Sequence, residues 1–372
     1  MRLLKFLSLV CVAVSALSCV QNNETTTYNG NARLINAPLR NEEKTTLPRM
    51  NFMFEHIDTI FLSSECEERL IDRIFDVKTT NDNIFIQGSE CIFLFSKSGQ
   101  FISRIGHKGM GHGEYLSLDR FDISNDGRQL YVFDQHLNKI ITYNQNGDFI
   151  RQIELDDIVF DFAVNGKDRF VLYNPVYYGH NCRRGLWELD TLGVFKSHLL
   201  SIDDDFRHTV IIDHYLVHIN DSSTGLIGPE DYDLFYSIQN DEIEESYKVI
   251  TDISMSKKVK ASDRIVDRNS YTEYIKSGYF ETDKLLQFDL SNTKGDYVKV
   301  IFDKSNDVEY RFYQSDYERI TEVDEVFPEL ISSYNGCFIY CVTHEMVEYS
   351  SFFKLQFPDI DETSNPVLIL AY

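Results

Sequence analysis

The chain has 372 residues, with 59 acidic side chains against 36 lysines and arginines and a formal net charge of −23. So acidic a surface repels phosphate backbones, which argues against nucleic acid as a partner, and it does not settle on an anionic membrane by charge alone. Of the seven cysteines, Cys11 and Cys19 lie near the start; the other five are scattered and odd in number, which argues against a disulfide framework.

Arg2 and Lys5 open the chain, Phe6 to Ala16 form an apolar run, and Ala16-Leu17-Ser18 lead into Cys19. The run is shorter than the ~20 residues that span a bilayer, so residues 1–18 are expected to be a cleaved signal peptide and not a membrane helix. Cys19 resembles the lipobox cysteine of bacterial lipoproteins, although Ala16 stands where that motif usually has Leu. The resemblance implies a diacylated Cys19 as lipid-attachment residue and mature N terminus. Residues 19–50 are expected to hold this attachment site and a flexible tether, since the Asn-, Thr- and Gln-rich stretch after it has little to bury.

Residues 51–372 are expected to form one all-β domain, a six-bladed propeller of four-stranded antiparallel blades. One pattern is written twice between Ile84 and Ile153. The runs Ile84-Phe85-Ile86, Ile92 to Phe95 and Phe101-Ile102 are matched by Leu130 to Phe133, Ile140 to Tyr143 and Phe149-Ile150. Gly99 and Gly147, like Phe101 and Phe149, are 48 positions apart. Branched and aromatic runs suit a pleated, buried surface, and Ser98-Gly99 and Asn146-Gly147 suit hairpin turns. Ile74 to Val77 and Phe121-Asp122-Ile123 supply a fourth, innermost strand to each copy. Such a sheet has two apolar faces and must stack on copies of itself, whereas a β-sandwich with similar hairpins is the competing arrangement.

Phe52 to Leu62 is expected to complete the last blade beside Val367 to Leu370, which closes the ring and removes two open edges. Blade three spans Phe160 to Phe195. Blade four is expected to use Thr209 to Ile212, Tyr215 to Ile219, Leu234 to Ile238 and Tyr247 to Ile250. Blade five is expected to use Lys284 to Leu290, Tyr297 to Phe302 and Val308 to Tyr313, and blade six to start near Cys337. The charged stretch from Ser254 to Lys276 reads as an insertion, with a helix opening at Ser262-Asp263. Cys337 and Cys341 would lie roughly 13 Å apart on one strand face, too far for a disulfide.

The segments Phe93 to Ile102 and Ile105 to Tyr115 resemble the six-bladed β-propeller lipoproteins, related to NHL and TolB-like propellers, that Bacteroidota encode in many copies. Ile57 to Leu62 is similar to that family's opening strand and Asn365 to Ile369 to its closing strand. The family usually has Pro where His112 stands, so no role of that loop is carried over. The resemblance implies the architecture and an address in the cell envelope, lipid-anchored and facing the periplasm or the surface. It implies no reaction. The absence of Trp-Asp dipeptides separates the chain from the WD40 type.

Catalytic signatures fail one by one. Gly106 to Gly113 lacks the Lys-Ser/Thr of a phosphate-binding loop and reads as a crossover between blades. His107 with His112, and His208, His214 and His218, are the histidine groups to weigh for a metal, but their spacings do not converge on one ion. His344-Glu345-Met346-Val347-Glu348 lacks the second His of a zinc protease and is expected in a strand. Asp203-Asp204-Asp205 lacks calcium-loop spacing. No Gly-x-Ser-x-Gly elbow occurs. No catalytic residue, metal or cofactor is therefore assigned.

Function is expected at the mouth of the central channel, where loops converge. Arg73, Asp119 and Arg120 precede innermost strands and are the candidate ligand-binding residues. The expected activity is non-catalytic binding of a glycan, peptide or envelope protein. The alternative is a lyase or hydrolase with a pore-mouth metal or acid/base pair, favoured by histidines or carboxylates converging within about 4–5 Å in the channel. A scaffold role is the third reading. An exposed apolar patch would favour a protein partner.

Overall fold

The structure, a computed structural model, describes residues 31–38, 54–64, 70–175, 183–202, 206–207, 212, 214–228, 233–251, 259–260, 275–292, 295–313 and 328–372. The expected signal peptide, Cys19, Cys66, Cys182, His208, Asp203 to Asp205, Thr209 to Ile211 of the expected blade-four strand and the helix expected at Ser262-Asp263 lie outside the described residues.

Two strands precede the blades, β1 (Arg33–Asn36) and β2 (Ile57–Phe61). Blade one is β3 (Asp76–Thr79), β4 (Asn83–Gln87), β5 (Ile92–Ser96) and β6 (Phe101–Ile105). Blade two repeats it as β7 (Arg120–Ile123), β8 (Gln129–Asp134), β9 (Lys139–Asn144) and β10 (Phe149–Glu154), and blade three as β11 (Asp161–Val164), β12 (Phe170–Asn174), β13 (Gly185–Leu189) and β14 (Phe195–Leu200). After β15 (Phe206–Arg207), blade four comprises β16 (Leu216–Asn220), β17 (Ser223–Ile227), β18 (Leu234–Gln239) and β19 (Glu242–Ile250). β20 (Val259–Lys260) pairs with β15. Blade five is β21 (Ile275–Glu281), β22 (Leu285–Ser291), β23 (Tyr297–Asp303) and β24 (Val308–Tyr313). Blade six is β25 (Glu329–Tyr334), β26 (Cys337–Val342) and β27 (Val367–Ala371), with β2 as its outermost strand.

The chain is therefore a six-bladed all-β propeller with four-stranded antiparallel blades. Its ends meet as expected: β2 runs antiparallel to β27, with Ile57 opposite Ala371 and Phe61 opposite Val367. The buried clusters lie between blades, joining blades six, one and two around Phe85, Phe95 and Ile339, and blades four and five around Phe235 and Phe288. Faces that no single sheet could cover are thus covered by neighbours. The repeated glycines serve this stacking. Gly99 (φ +81°) turns the blade-one hairpin, and a Cβ there would strike the carbonyl of Phe61 in β2. The Gly99 carbonyl then accepts from the Ser63 amide at 2.8 Å, tying blade one to the seam.

Several expectations are corrected. Arg33–Asn36, inside the stretch expected as tether, is a fifth strand on blade four, parallel to β19. Arg33 also reaches blade five, where it pairs with Asp307 and lies over the Phe302 ring at 4.7 Å. Among the described residues, the blade-four sheet starts at Leu216, and its second strand, β17, is added to those expected from the sequence. Blade five gains an innermost strand whose first residues, Ile275 and Lys276, were assigned to an insertion. Blade six begins at Glu329, not near Cys337. His344–Tyr349 (α1) is a helix and not a strand, because the Thr343 side chain caps it by accepting from the Met346 amide; Ser350 caps the next helix, α2 (Ser351–Gln356), in the same way. Cys91, Cys337 and Cys341 are buried free thiols, and burial pushes their pKa values up to about 11, 12 and 12.

Candidate functional site

The innermost strands β3, β7, β11, β16, β21 and β25 surround the axis, and they carry charge into it. Arg120, the first residue of β7, makes a two-pronged ion pair with Asp161 at the start of β11, Nε to Oδ1 at 2.9 Å and Nη2 to Oδ2 at 3.0 Å. Asp161 Oδ2 also accepts from the amides of Tyr215 and Leu216 at 2.8 and 2.9 Å, so one carboxylate joins blades two, three and four. Asp122 Oδ2 accepts from the Val164 amide at 2.7 Å and shares a 2.7 Å hydrogen bond with His218 Nε2 of β16. The His218 ring meets Tyr334 of β25 edge-on at 4.9 Å. Blades two, four and six are thereby linked across the middle. Asp76 of β3 accepts from Ser332 Oγ of β25 at 2.6 Å and pairs with Lys78 at 3.1 Å.

Burial makes these pairs strong and their separation costly. Burial alone would raise the Asp122 pKa, but His218, Lys78 and the Val164 amide outweigh it and hold the carboxyl below its ordinary range. Burial alone would likewise lower the Arg120 pKa, but Asp161 foremost, with Asp76 and Asp122, outweighs burial and raises it. Asp122 should therefore contribute stability above the unfolded carboxylate pKa of about 3.9 and lose it as pH falls through its lower folded value. Urea midpoints measured from pH 6 to pH 3 should fall steeply below about pH 4 in the parent protein. Asp122→Asn should start lower at pH 6 and fall less steeply; parallel curves would contradict the assignment.

His214 is the exception in the network. It precedes Tyr215, and its Nδ1 is buried without a hydrogen-bond partner. Burial first, then the nearby Arg120 and Lys78 cations, push its pKa well below the ordinary histidine value, so the imidazole is neutral.

Of the three sequence candidates, the structure brings only Arg120 into this network. Arg73 is exposed and lies over the Phe75 ring at 5.0 Å. Asp119 is exposed and accepts from the Gln135 amide at 2.7 Å. Among the described residues, no hydrogen bond or ion pair joins either one to Arg120. Sequence reasoning missed Asp76, Asp122, Asp161 and His218 as axial partners. A signal for the first three was present: Phe75-Asp76-Val77, Phe121-Asp122-Ile123 and Phe160-Asp161-Phe162 repeat one triplet. In each, the aspartate Oδ1 accepts from the next amide at 2.8–2.9 Å.

The glycine-rich crossover is closed on itself. Glu114 accepts from the Gly111 amide at 2.6 Å and meets His107 at 2.8 Å, Tyr143 Oη donates to the Gly113 carbonyl at 2.7 Å, and His112 packs on Phe149. Among the described residues, no group of three or more His, Cys, Asp or Glu side chains is placed to hold a metal, and no helix is long and apolar enough to cross a membrane.

Antiparallel alternation puts the connections between second and third strands, and those from one blade to the next, on the same face of the wheel. Six of the exposed large apolar residues occur in those connections: Phe75, Met110, Ile158, Tyr349, Phe352 and Leu355.

A family model described as a domain of unknown function, DUF4934, matches residues 35–372. The chain belongs to the DUF4934 family. The match begins within β1, so Ile35 and Asn36, the second half of the fifth strand of blade four, fall inside the family's domain. No curated protein matches the DUF4934 chain. Among solved structures, a Bacteroides fragilis protein described as a candidate exported protein is similar over 91% of this chain and 99% of its own, with 15% identity and a TM-score of 0.72. A DUF4221 family member from Bacteroides vulgatus is similar over 86% of this chain and 96% of its own, with 10% identity and a TM-score of 0.51. At these identities the likeness concerns the fold alone.

Proposed function

We propose that this DUF4934 chain is an exported protein, held to the cell envelope by lipid on Cys19, that binds a peptide or protein partner without transforming it. The observation that carries the reading is a contrast. The axial acids and bases are bonded to one another and buried, with Asp161 0%, Asp122 1% and His218 7% exposed, while Met110, Tyr349 and Leu355 on the loop-bearing face are about four-fifths exposed. Exposed apolar side chains gathered on one face suit a partner surface. The residue order from Arg2 to Cys19 and the exported description of the Bacteroides fragilis relative support the address.

The second reading is an enzyme working at the channel mouth. Its support is the Asp122–His218 pair within hydrogen-bond distance, and the neutral His214 with an unpartnered Nδ1 beside Arg120 and Lys78. Thermal shifts of residues 20–372 against oligosaccharides, peptides and divalent metals separate the two. Stabilisation by peptides that Arg120-side substitutions such as His214→Ala leave intact is the expected result. Stabilisation by a metal, reversed by EDTA and lost in His214→Ala, would favour the enzyme. For the anchor, radiolabelled palmitate should enter the parent protein and not Cys19→Ala; label retained in the variant would sink that assignment.

A further inference from the structure

The connection between β26 and β27 in blade six carries α1 and α2. Val347 and Phe353 are buried against the blade, with Met346 and Phe357 packed beside them. Tyr349, Phe352 and Leu355 are left 83%, 43% and 79% exposed. Phe352 and Leu355, three positions apart, share one face of α2, and Tyr349 closes the helix before it. Phe352 meets the buried Phe353 ring edge-on at 5.4 Å, but Tyr349 and Leu355 add little to the fold, because the helices already have their buried contacts and their caps. Exposed acids rim them: Glu345 and Glu348 on α1, and Asp359, Asp361 and Glu362 just after α2, against the exposed Lys354.

We propose that this helix pair is a docking site for a cationic amphipathic segment of a partner protein. Apolar side chains of the segment would cover Tyr349, Phe352 and Leu355, and its lysines or arginines would meet the acidic rim. The same rim disfavours two other occupants. An anionic bilayer surface would be repelled. A second copy of this chain, docking through the same patch, would set the rim against itself. The proposal deepens the binding reading and rests on it.

The test uses residues 20–372 and a synthetic Leu/Lys amphipathic helix of about 18 residues, with a Leu/Glu helix of the same pattern as control. Calorimetry should give one site for the Leu/Lys helix, weakened by salt, and none for the Leu/Glu helix. The double variant Tyr349→Ser/Leu355→Ser should bind about tenfold more weakly with an unchanged Tm, since both side chains are largely exposed. The variant changes no charge, so diffuse attraction to an acidic protein would survive in it. Equal binding by variant and parent therefore overturns the proposal. So does a parent dimer that the variant makes monomeric in sedimentation, or binding to phosphatidylethanolamine/phosphatidylglycerol vesicles that the variant loses. If the site fails while peptides still shift the Tm of the parent, the binding reading stands and only its location here falls.

Discussion

Replacing Asp161 with alanine is expected to cost about 3–5 kcal/mol and lower the Tm by roughly 10 °C. The carboxylate is fully buried and accepts from Arg120 twice, from its neighbour Phe162, and from the amides of Tyr215 and Leu216. Removing it strands a guanidinium that cannot shed its charge, together with two amides at the entrance to blade four. Arg120→Met should cost less, because Asp161 keeps three backbone donors. The double variant Arg120→Met/Asp161→Ala should lose less than the two single changes added, since neither side chain is left to carry an unmatched charge. Calorimetry on the four proteins completes the cycle. Strict additivity would mean that the ion pair is incidental to the fold.

Ending the chain at Pro366 is expected to abolish folding altogether. The missing strand β27 is buried along its length and hydrogen-bonds on both sides, to β26 and to β2. Burial of Val367, Leu368, Ile369 and Leu370 contributes about 1.5–3 kcal/mol each, a sum comparable to the roughly 5–15 kcal/mol stability of a typical domain. The loss also leaves β2 with no partner and β26 with a bare edge. Insoluble expression, or a soluble product without β-type circular dichroism, is the expected outcome. By contrast, Ile57→Ser, at a position 36% exposed on the outermost strand, should cost only about 1–2 kcal/mol and leave the protein folded. A folded, monomeric 1–366 protein would show that the seam is dispensable.

What could be read from the sequence followed the apolar strands. Blades one and two were legible because their second and third strands, such as Ile92 to Phe95 and Ile140 to Tyr143, face buried clusters on both sides and are written in branched and aromatic residues. Strands β25, β17 and β21 were lost because their places in the wheel ask for something other than branched apolar residues. In β25, Ser332 and Ser333 take the place of apolar residues and bond to Asp76 and to the Glu281 amide. In β17, Gly225 lies where any Cβ would meet the Tyr279 hydroxyl. In β21, Gly278 takes a positive φ of 58° at an irregularity in the pairing. Polar and glycine-bearing strands carry no periodic signal, although tertiary contacts make them strands all the same. The candidate site suffered more. Arg120 is picked out by its place before an apolar run, but its partner Asp161 lies 41 residues away, and only the stacking of blade three on blade two brings the two together.

The parallel strand β1 has a mechanical consequence. Any pull arriving along the chain from upstream of Arg33 is received first by blades four and five. It acts there through the β19 ladder, the Arg33–Asp307 pair, and the hydrogen bonds of Asn36 with Glu309 and Arg311 at 2.8 and 2.9 Å. The ring seam, at β2 and β27, is loaded only after that grip has given way. A wheel hung from its leading end would thus bear tension on a strap outside its own circumference, and the joint that keeps it round would stay slack.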